Sequence, residues 1–277
     1  MTTIATIADL AHQLWPLIGA EAWDAPGLTA GDPNWDVNRI LIAVDAVRTT
    51  VDEAVAGDFD VLITHHPLLL RGVTSVAGDQ YKGALLTSLI QAQCGLLSAH
   101  TNADVVESGA TSVLARQLKL NDVQVIAPTA STEVGIGRVG ELPVEMTLGE
   151  LARQLADFLP DTASGVRVSG DWSQLVRRIA LCSGAGDSLL NDPAVRAADV
   201  YITSDLRHHP AQESREQSQL GGGPALIDVS HWASEWLWCE SAAAELARAL
   251  PGVEVVVSDL NTDPWDFVVH APSERPE

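Results

Sequence analysis

A chain of 277 residues with 46% hydrophobic content carries enough apolar side chains for one large or two medium cores, which excludes a mostly disordered protein. Acidic residues number 37 against 16 basic ones, giving a net charge of −21 with no basic run, so nucleic acid and other polyanions are set aside as partners. No stretch approaches the roughly 18 uninterrupted apolar residues of a membrane span, and the N-terminus lacks a basic region followed by an apolar block. A cytoplasmic protein with no membrane partner is expected.

In chain order, the spacing of Ile7, Leu10, Ala11, Leu14 and Leu17 predicts a helix over 4–17, followed by a Gly/Pro/Asn/Asp loop. "VNRILIAVD" then reads as a strand, "TTVDEAVAGD" as a helix stopped near Gly57, and "DVLIT" as a strand that runs into His65, His66 and Pro67. "GALLTSLIQAQ" follows as a helix and "GLLSAHTNAD" as a strand leaving into a polar loop. This alternation of strand and helix is the pattern of an open, largely parallel sheet.

The second half repeats the plan. Arg39, Ile40, Asp60, Val61, Ile63 and Thr64 meet Arg178, Ile179, Asp199, Val200, Ile202 and Thr203 at a constant offset of 139 residues. Both halves then reach an HHP triplet, the second (His208–Pro210) delayed by "SDLR", and both continue through a helix to a strand ending in histidine, at His100 and at His231. The expected fold class is therefore α/β, an internal duplication that makes two α/β lobes with largely parallel sheets. The first repeat is expected over residues 1–127 and the second over 128–277, with a mobile tail from about 271.

Ligands of parallel sheets bind beyond the carboxyl ends of the strands, and this sequence concentrates its chemistry there. His65 and His66 end one strand, His100, Thr101, Asn102 and Asp104 end another, and His231, Ser234 and Glu235 end the corresponding strand of the second half. Imidazole and carboxylate hold zinc, iron, manganese or cobalt without thiolate. Cys94, Cys182 and Cys239 show no CxxC spacing and are expected to be buried and free. Neighbouring side chains of a true strand face opposite ways, so His65 and His66 share a site only if the strand has already ended; otherwise they reach two separate metals. His231 and Glu235, four apart, fall on one face if a helix starts after the strand. With Asp104 they make five donors, enough to hold metal and leave positions open.

Other chemistries fit less well. "GIGRVG" (135–140) does not match a dinucleotide-binding fingerprint, "CSGAGDS" (182–188) resembles a phosphate-cradling turn but lacks the GK[ST] of a P-loop, and no GxSxG elbow occurs. Backbone N–H groups of "CSGAGDS" remain available to an anion on this reading. Crowded Trp232, Trp236 and Trp238 are expected to pack in the core or at an interface rather than to stack on bases.

"EAWDAPGL", "DVLITHHPLLL", "AHTNAD", "GIGRVGEL", "DVYITSD" and "SHWASE", in this order, resemble the Nif-three-like family, whose bacterial members are labelled GTP cyclohydrolase I type 2 homologues. The resemblance implies two intertwined α/β repeats with mostly parallel, mixed sheets, a dinuclear centre of two divalent metal ions in the cleft between them, held by His65, His66, Asp104, His231 and Glu235 with Glu235 bridging, and a toroidal homohexamer. The leading expectation is a metal-dependent hydrolase acting on a small, nucleotide-like substrate, with Glu235 or a nearby histidine such as His208 relaying protons, while His208 and His209 read equally as a decayed site, substrate contacts or turn caps. A metal-handling or regulatory protein, or a phosphoesterase, would use the same ligands. Three departures, "WDA" for WDN, "TSD" for Thr-Gly-Glu or Thr-Gly-Asp, and Ser230-His231 for Gly-His, spare the ligands and are expected to alter the cleft.

Overall fold

The computed structural model describes residues 1–131 and 134–270, so the tail expected from about 271 lies outside the described residues. A five-stranded and a six-stranded mixed sheet make up the fold, and in each the central parallel strands are joined by helices that cross from one to the next. The strands are β1 (Gly27–Ala30), β2 (Arg39–Ala43), β3 (Val61–Thr64), β4 (Gly95–Ser98), β5 (Asn121–Ser131), β6 (Val134–Thr147), β7 (Arg167–Ser169), β8 (Leu175–Ala185), β9 (Val200–Ser204), β10 (Ala225–Val229) and β11 (Glu254–Val257). The helices are α1 (Ile4–Leu14), α2 (Arg48–Ala56), α3 (Tyr81–Gln91), α4 (Thr101–Asp104), α5 (Ala110–Gln117), α6 (Leu148–Phe158), α7 (Pro193–Arg196), α8 (His208–Gln219) and α9 (His231–Ala249).

The first sheet runs β1-β4-β3-β2-β11 and the second β5-β6-β8-β9-β10-β7, so β1-β4-β3-β2 corresponds to β7-β10-β9-β8. The register repeats as well. Ile40 pairs with Val61 and Ile42 with Ile63; 139 residues on, Ile179 pairs with Val200 and Leu181 with Ile202. Asp60 accepts hydrogen bonds from the Asn38 and Arg39 amides at the start of β2, and Asp199 accepts the same pair from Arg177 and Arg178 at β8. A duplicated carboxylate therefore fixes the entry of each central strand.

Side-chain alternation sorts the strands into layers. Ile40, Ile42, Val61 and Ile63 face a core shared with Ile179, Leu181, Val200 and Ile202, while Leu41 and Leu62 face α2 and α3, and Ala180 and Tyr201 face the far side of the second sheet. The shared core also takes in α1, α5, α6 and α9. The repeats are intertwined: β11, which follows α9 of the second repeat, pairs in parallel with β2 of the first, Val256 opposite Leu41.

The first helix ends at Leu14, short of the expected Leu17. Pro16 is the reason, since it forces Trp15 out of the helical region (φ −126°, ψ 82°), and a single 3-10 turn over Leu17–Gly19 follows. The three cysteines are buried and free, and Trp232 and Trp238 are core residues.

Candidate metal centre

β3 ends at Thr64, one residue before the histidine pair. The Thr64 hydroxyl donates to the His66 carbonyl (2.8 Å), closing a bend that releases both imidazoles from strand alternation. Both rings then turn inward, their centroids 5.2 Å apart. α4 starts beyond β4 and carries Asp104 on its last residue. α9 opens at His231 with Ser230 as its cap, the Ser230 hydroxyl accepting from the Ala233 amide, so His231 and Glu235 share a face one turn apart. Each placement follows from a local break between strand and helix.

The five residues converge. Nε2 of His231 lies 3.1 Å from Glu235 Oε1, Nε2 of His66 2.9 Å from Glu235 Oε2, and Nε2 of His65 3.6 Å from both Glu235 Oε1 and Asp104 Oδ1. His66 and His231 present their Nε2 atoms to each other at 3.3 Å. The opposite nitrogen of each ring is engaged: His65 Nδ1 with the Ala99 carbonyl (2.9 Å), His66 Nδ1 with Asp45 (2.7 Å) and His231 Nδ1 with Asp205 (2.7 Å). Partners of this kind fix ring orientation and tautomer, leaving Nε2 as a lone-pair donor. Asp45, Asp205 and the Ala99 carbonyl were not foreseen, yet the offset of 139 places Asp205 at the position of His66.

Three polar atoms at the point of convergence are buried and without a hydrogen bond among the described residues: His65 Nε2, Asp104 Oδ1 and Glu235 Oε2. His66 Nε2 approaches Oε2 closely but not along a hydrogen-bonding direction. Orphaned buried polar atoms carry a desolvation cost unless something pairs with them, and imidazole nitrogens mixed with carboxylate oxygens are the donor set of a divalent transition metal. The residues present fit such an ion.

Charge in the site is tightly coupled. Burial works against the imidazolium form of His66, but the Glu235 carboxylate and the hydrogen bond with Asp45 outweigh it and raise the pKa to about 10. Burial is likewise overcome at His231, raised to about 11 by Glu235 and Asp205, and at His65, raised by Asp104 and Glu235. Glu235 is itself pushed up by burial but held well below its usual range by the three imidazoles. Asp104 is raised, burial prevailing over His65.

Beneath Glu235 lies Gly184, in a left-handed conformation (φ +68°), and a Cβ there would stand 2.4 Å from Glu235 Oε1. Its amide donates to Ser234 Oγ (3.0 Å), and the Ser183 amide to Thr111 Oγ1 (3.1 Å). "CSGAGDS" therefore does not offer these N–H groups to an anion; its glycine makes room for a carboxylate. Gly184→Ala is expected to cost about 1–3 kcal/mol through backbone strain and the clash. Thermal unfolding together with metal analysis checks this, and unchanged values for both would show that the glycine is not required.

His100 caps the first turn beyond β4, and one ring nitrogen from each of His65, His66 and His100 lies within 4.8 Å of the others. Its Nδ1 is held by Asp24 Oδ1 at 2.8 Å, and the other Asp24 oxygen accepts from the Thr101 amide and hydroxyl. Asp24 belongs to the "WDA" stretch, whose Trp23 meets the His100 ring edge-on. Burial opposes the Asp24 charge, but the hydrogen bonds with His100 and Thr101 dominate and lower its pKa from 3.8 to about 2. A carboxylate with a depressed folded-state pKa stabilises fully above about pH 4 and loses that contribution as pH falls through 2. Asp24→Asn is thus expected to cost about 2 kcal/mol at neutral pH. The gap from wild type should close below about pH 3 in denaturant titrations; an equal gap at both pH values would refute the linkage.

His208 stands elsewhere. The "SDLR" insertion carries the second HHP triplet past the strand end into the first turn of α8, where His208 and His209 are exposed and their rings face each other. His208 is therefore not part of the cluster of His65, His66, His231 and Glu235, and His100 is the further histidine the fold brings beside His65 and His66. Arg138, within "GIGRVG", is buried and donates to the carbonyls of Val105 and Val106 (3.2 Å each), bracing the chain just after Asp104. Trp238 packs against His65 (centroids 5.1 Å apart) and Trp15, forming the apolar floor.

These features define a mixed α/β protein whose strand ends gather a His/Glu cluster able to hold a metal ion. The family model for Duf34/NIF3 (NGG1p interacting factor 3) matches residues 2–264, and the chain belongs to this family. A Streptomyces coelicolor protein named GTP cyclohydrolase 1 type 2 homolog is 43% identical, covering 99% of this chain and 97% of its own. A Clostridium perfringens protein of the same name is 30% identical over 95% of this chain and 98% of its own. Among solved structures, a Staphylococcus aureus hypothetical protein superposes with a TM-score of 0.86 at 28% identity, over 96% of this chain and 99% of that one. A Bacillus cereus protein related to NIF3 reaches a TM-score of 0.87 at 23% identity over 96% and 99%, which shows the shared fold. No described helix is long and apolar enough to cross a membrane.

Proposed function

We propose that the protein binds two divalent metal ions through His65, His66, Asp104, His231 and Glu235, and acts as a metal-dependent hydrolase on a nucleotide-like substrate. The observation that carries this reading is the convergence of orphaned His65 Nε2, Asp104 Oδ1 and Glu235 Oε2 on one buried point. Glu235 is the shared ligand in this scheme, since its two oxygens face different imidazoles, Oε1 toward His65 and His231 and Oε2 toward His66. The GTP cyclohydrolase 1 type 2 homolog name of the relatives supports the same class.

Such ions supply Lewis-acid activation of water and of an electrophilic carbon when bound. The chain's own residues do the rest. Asp45, Asp205 and the Ala99 carbonyl hold the imidazoles in one orientation, and the Trp15–Trp238 floor excludes water from below. With Nδ1 engaged by Asp24, His100 keeps Nε2 free to take a proton from the attacking water and return it to the leaving group. A cleft of about 750 Å³ opens beside His66 and His231, a volume within the range of small-molecule sites.

The test is metal analysis of the purified protein, then turnover of GTP and a panel of nucleotides and phosphoesters with each of zinc, iron, manganese and cobalt. Hydrolysis by a loaded form supports the reading. Metal bound with no turnover anywhere in the panel would replace the hydrolase with a metal-handling protein. A toroidal homohexamer belongs to the same proposal, and light scattering should give six times the 29.4 kDa chain mass.

A further inference from the structure

The segment after β11 crosses the mouth of this cleft. The Thr262 hydroxyl donates to Asp45 Oδ2 (2.5 Å), the carboxylate whose other oxygen holds His66. The Ser230 hydroxyl, which caps the helix bearing His231 and Glu235, donates to Asp263. Asp263 in turn accepts from the Trp265 amide (3.0 Å). Two side-chain anchors thus tie the segment to both repeats at the groups that orient the cluster, and hold Trp265 and Phe267 on the cleft wall, both largely exposed.

An exposed indole fixed beside a polar centre offers a stacking surface, and the lining says which kind of ligand fits it. One wall is aromatic, the metal-ligand set reaches the cleft through His66 and His231, and Arg167 is the one Lys or Arg side chain on the cleft among the described residues. The carboxylates that line it are engaged: Asp45 with His66, Asp205 with His231, Asp228 with Arg167 and Asp263 with Ser230. A ligand with a planar heterocycle at one end and an anionic group at the other matches this polarity. We propose that the segment Thr262–Val268 is a substrate-binding strap in which Trp265 stacks the base of a nucleoside phosphate whose phosphate lies toward Arg167 and the metal-ligand cluster. The proposal rests on the metal-centre reading above and adds to it the recognition of the base. Stacking on an aromatic side chain is sequence-tolerant and stronger than contact with an aliphatic wall, so the strap selects for a ring before it selects among bases.

The experiment uses the full chain loaded with manganese and measures binding of three probes, GMP, ribose 5-phosphate and inorganic phosphate, by calorimetry. Trp265→Ala is expected to weaken GMP about tenfold or more, leave the two ring-free probes within about twofold, and keep the bound metal unchanged. Trp265→Phe should retain most of the GMP affinity. Because Trp265 is exposed, the alanine variant should keep its fold, which its thermal transition verifies. Equal GMP affinity in the alanine variant with metal intact overturns the strap and leaves the metal centre standing, as does a wild type that holds metal and binds none of the three probes. A change in molecular mass on Trp265→Ala, without a change in GMP binding, assigns the indole to contact with a second copy and also overturns it. A wild type that retains no manganese removes the metal-centre reading itself.

Discussion

Conversion of Glu235 to glutamine is expected to leave the protein without bound metal. Glu235 is only 3% exposed, and among the described residues it is the one carboxylate paired with His65, His66 and His231 together. Glutamine keeps the shape but replaces one oxygen by an N–H donor and removes the charge, so affinity should fall by at least about a hundredfold, beyond what loss of an orienting partner costs. Asp205→Asn, which touches only His231 Nδ1, should cost about 10–100-fold, and a graded series of this kind separates ligand from support. The imidazoles report on the same change. His66 and His231 owe their elevation to about 10 and about 11, against the opposing effect of burial, first to the Glu235 charge, so both should titrate lower in metal-free Glu235→Gln. Elemental analysis and an NMR titration measure the two effects, and retention of stoichiometric metal would remove Glu235 from the ligand set.

His100→Gln should divide structure from chemistry at the other side of the cluster. Glutamine can still meet Asp24 but cannot exchange a proton, so turnover of whichever substrate the panel identifies should fall about 10²–10⁴-fold. KM and metal content should stay near wild type, since His100 is placed here as proton carrier and not as ligand. Loss of metal along with activity would instead make His100 a sixth ligand, a role its position within 4.8 Å of His65 and His66 permits testing directly. Undiminished turnover would remove it from the mechanism.

The ligand candidates were legible in the sequence because the information that places them is local. Thr64 ending a strand before His65, Pro67 after His66, and four residues from His231 to Glu235 are features of short segments, and parallel-sheet topology sends all such strand ends to one region. Partners reached across the fold were not legible in that way. Asp45 stands 21 residues from His66, Asp205 26 from His231 and Asp24 76 from His100, and nothing in a short window marks them. The duplication holds the missing signal. At the offset of 139, Asp205 replaces His66 and Gly184 replaces Asp45, so the second repeat exchanges an imidazole for a carboxylate that supports His231 and a carboxylate for a glycine that admits Glu235. The second HHP triplet matches the first in letters, but the insertion moves His208 off the strand end and into α8.

The pairing of β11 with β2 has a consequence for how the protein comes into being. Arg39 on β2 meets Glu254 on β11 across 215 residues, and Asp45 meets Thr262 across 217. During synthesis the first sheet therefore keeps an open, apolar edge at β2 until nearly everything after it has been made, and loop closure over such a span is slow. His65 and His66 are translated early but have neither Glu235 nor His231 to face. A nascent chain thus offers incoming metal only scattered donors, and the complete pocket arises late, in the same event that seals the sheet.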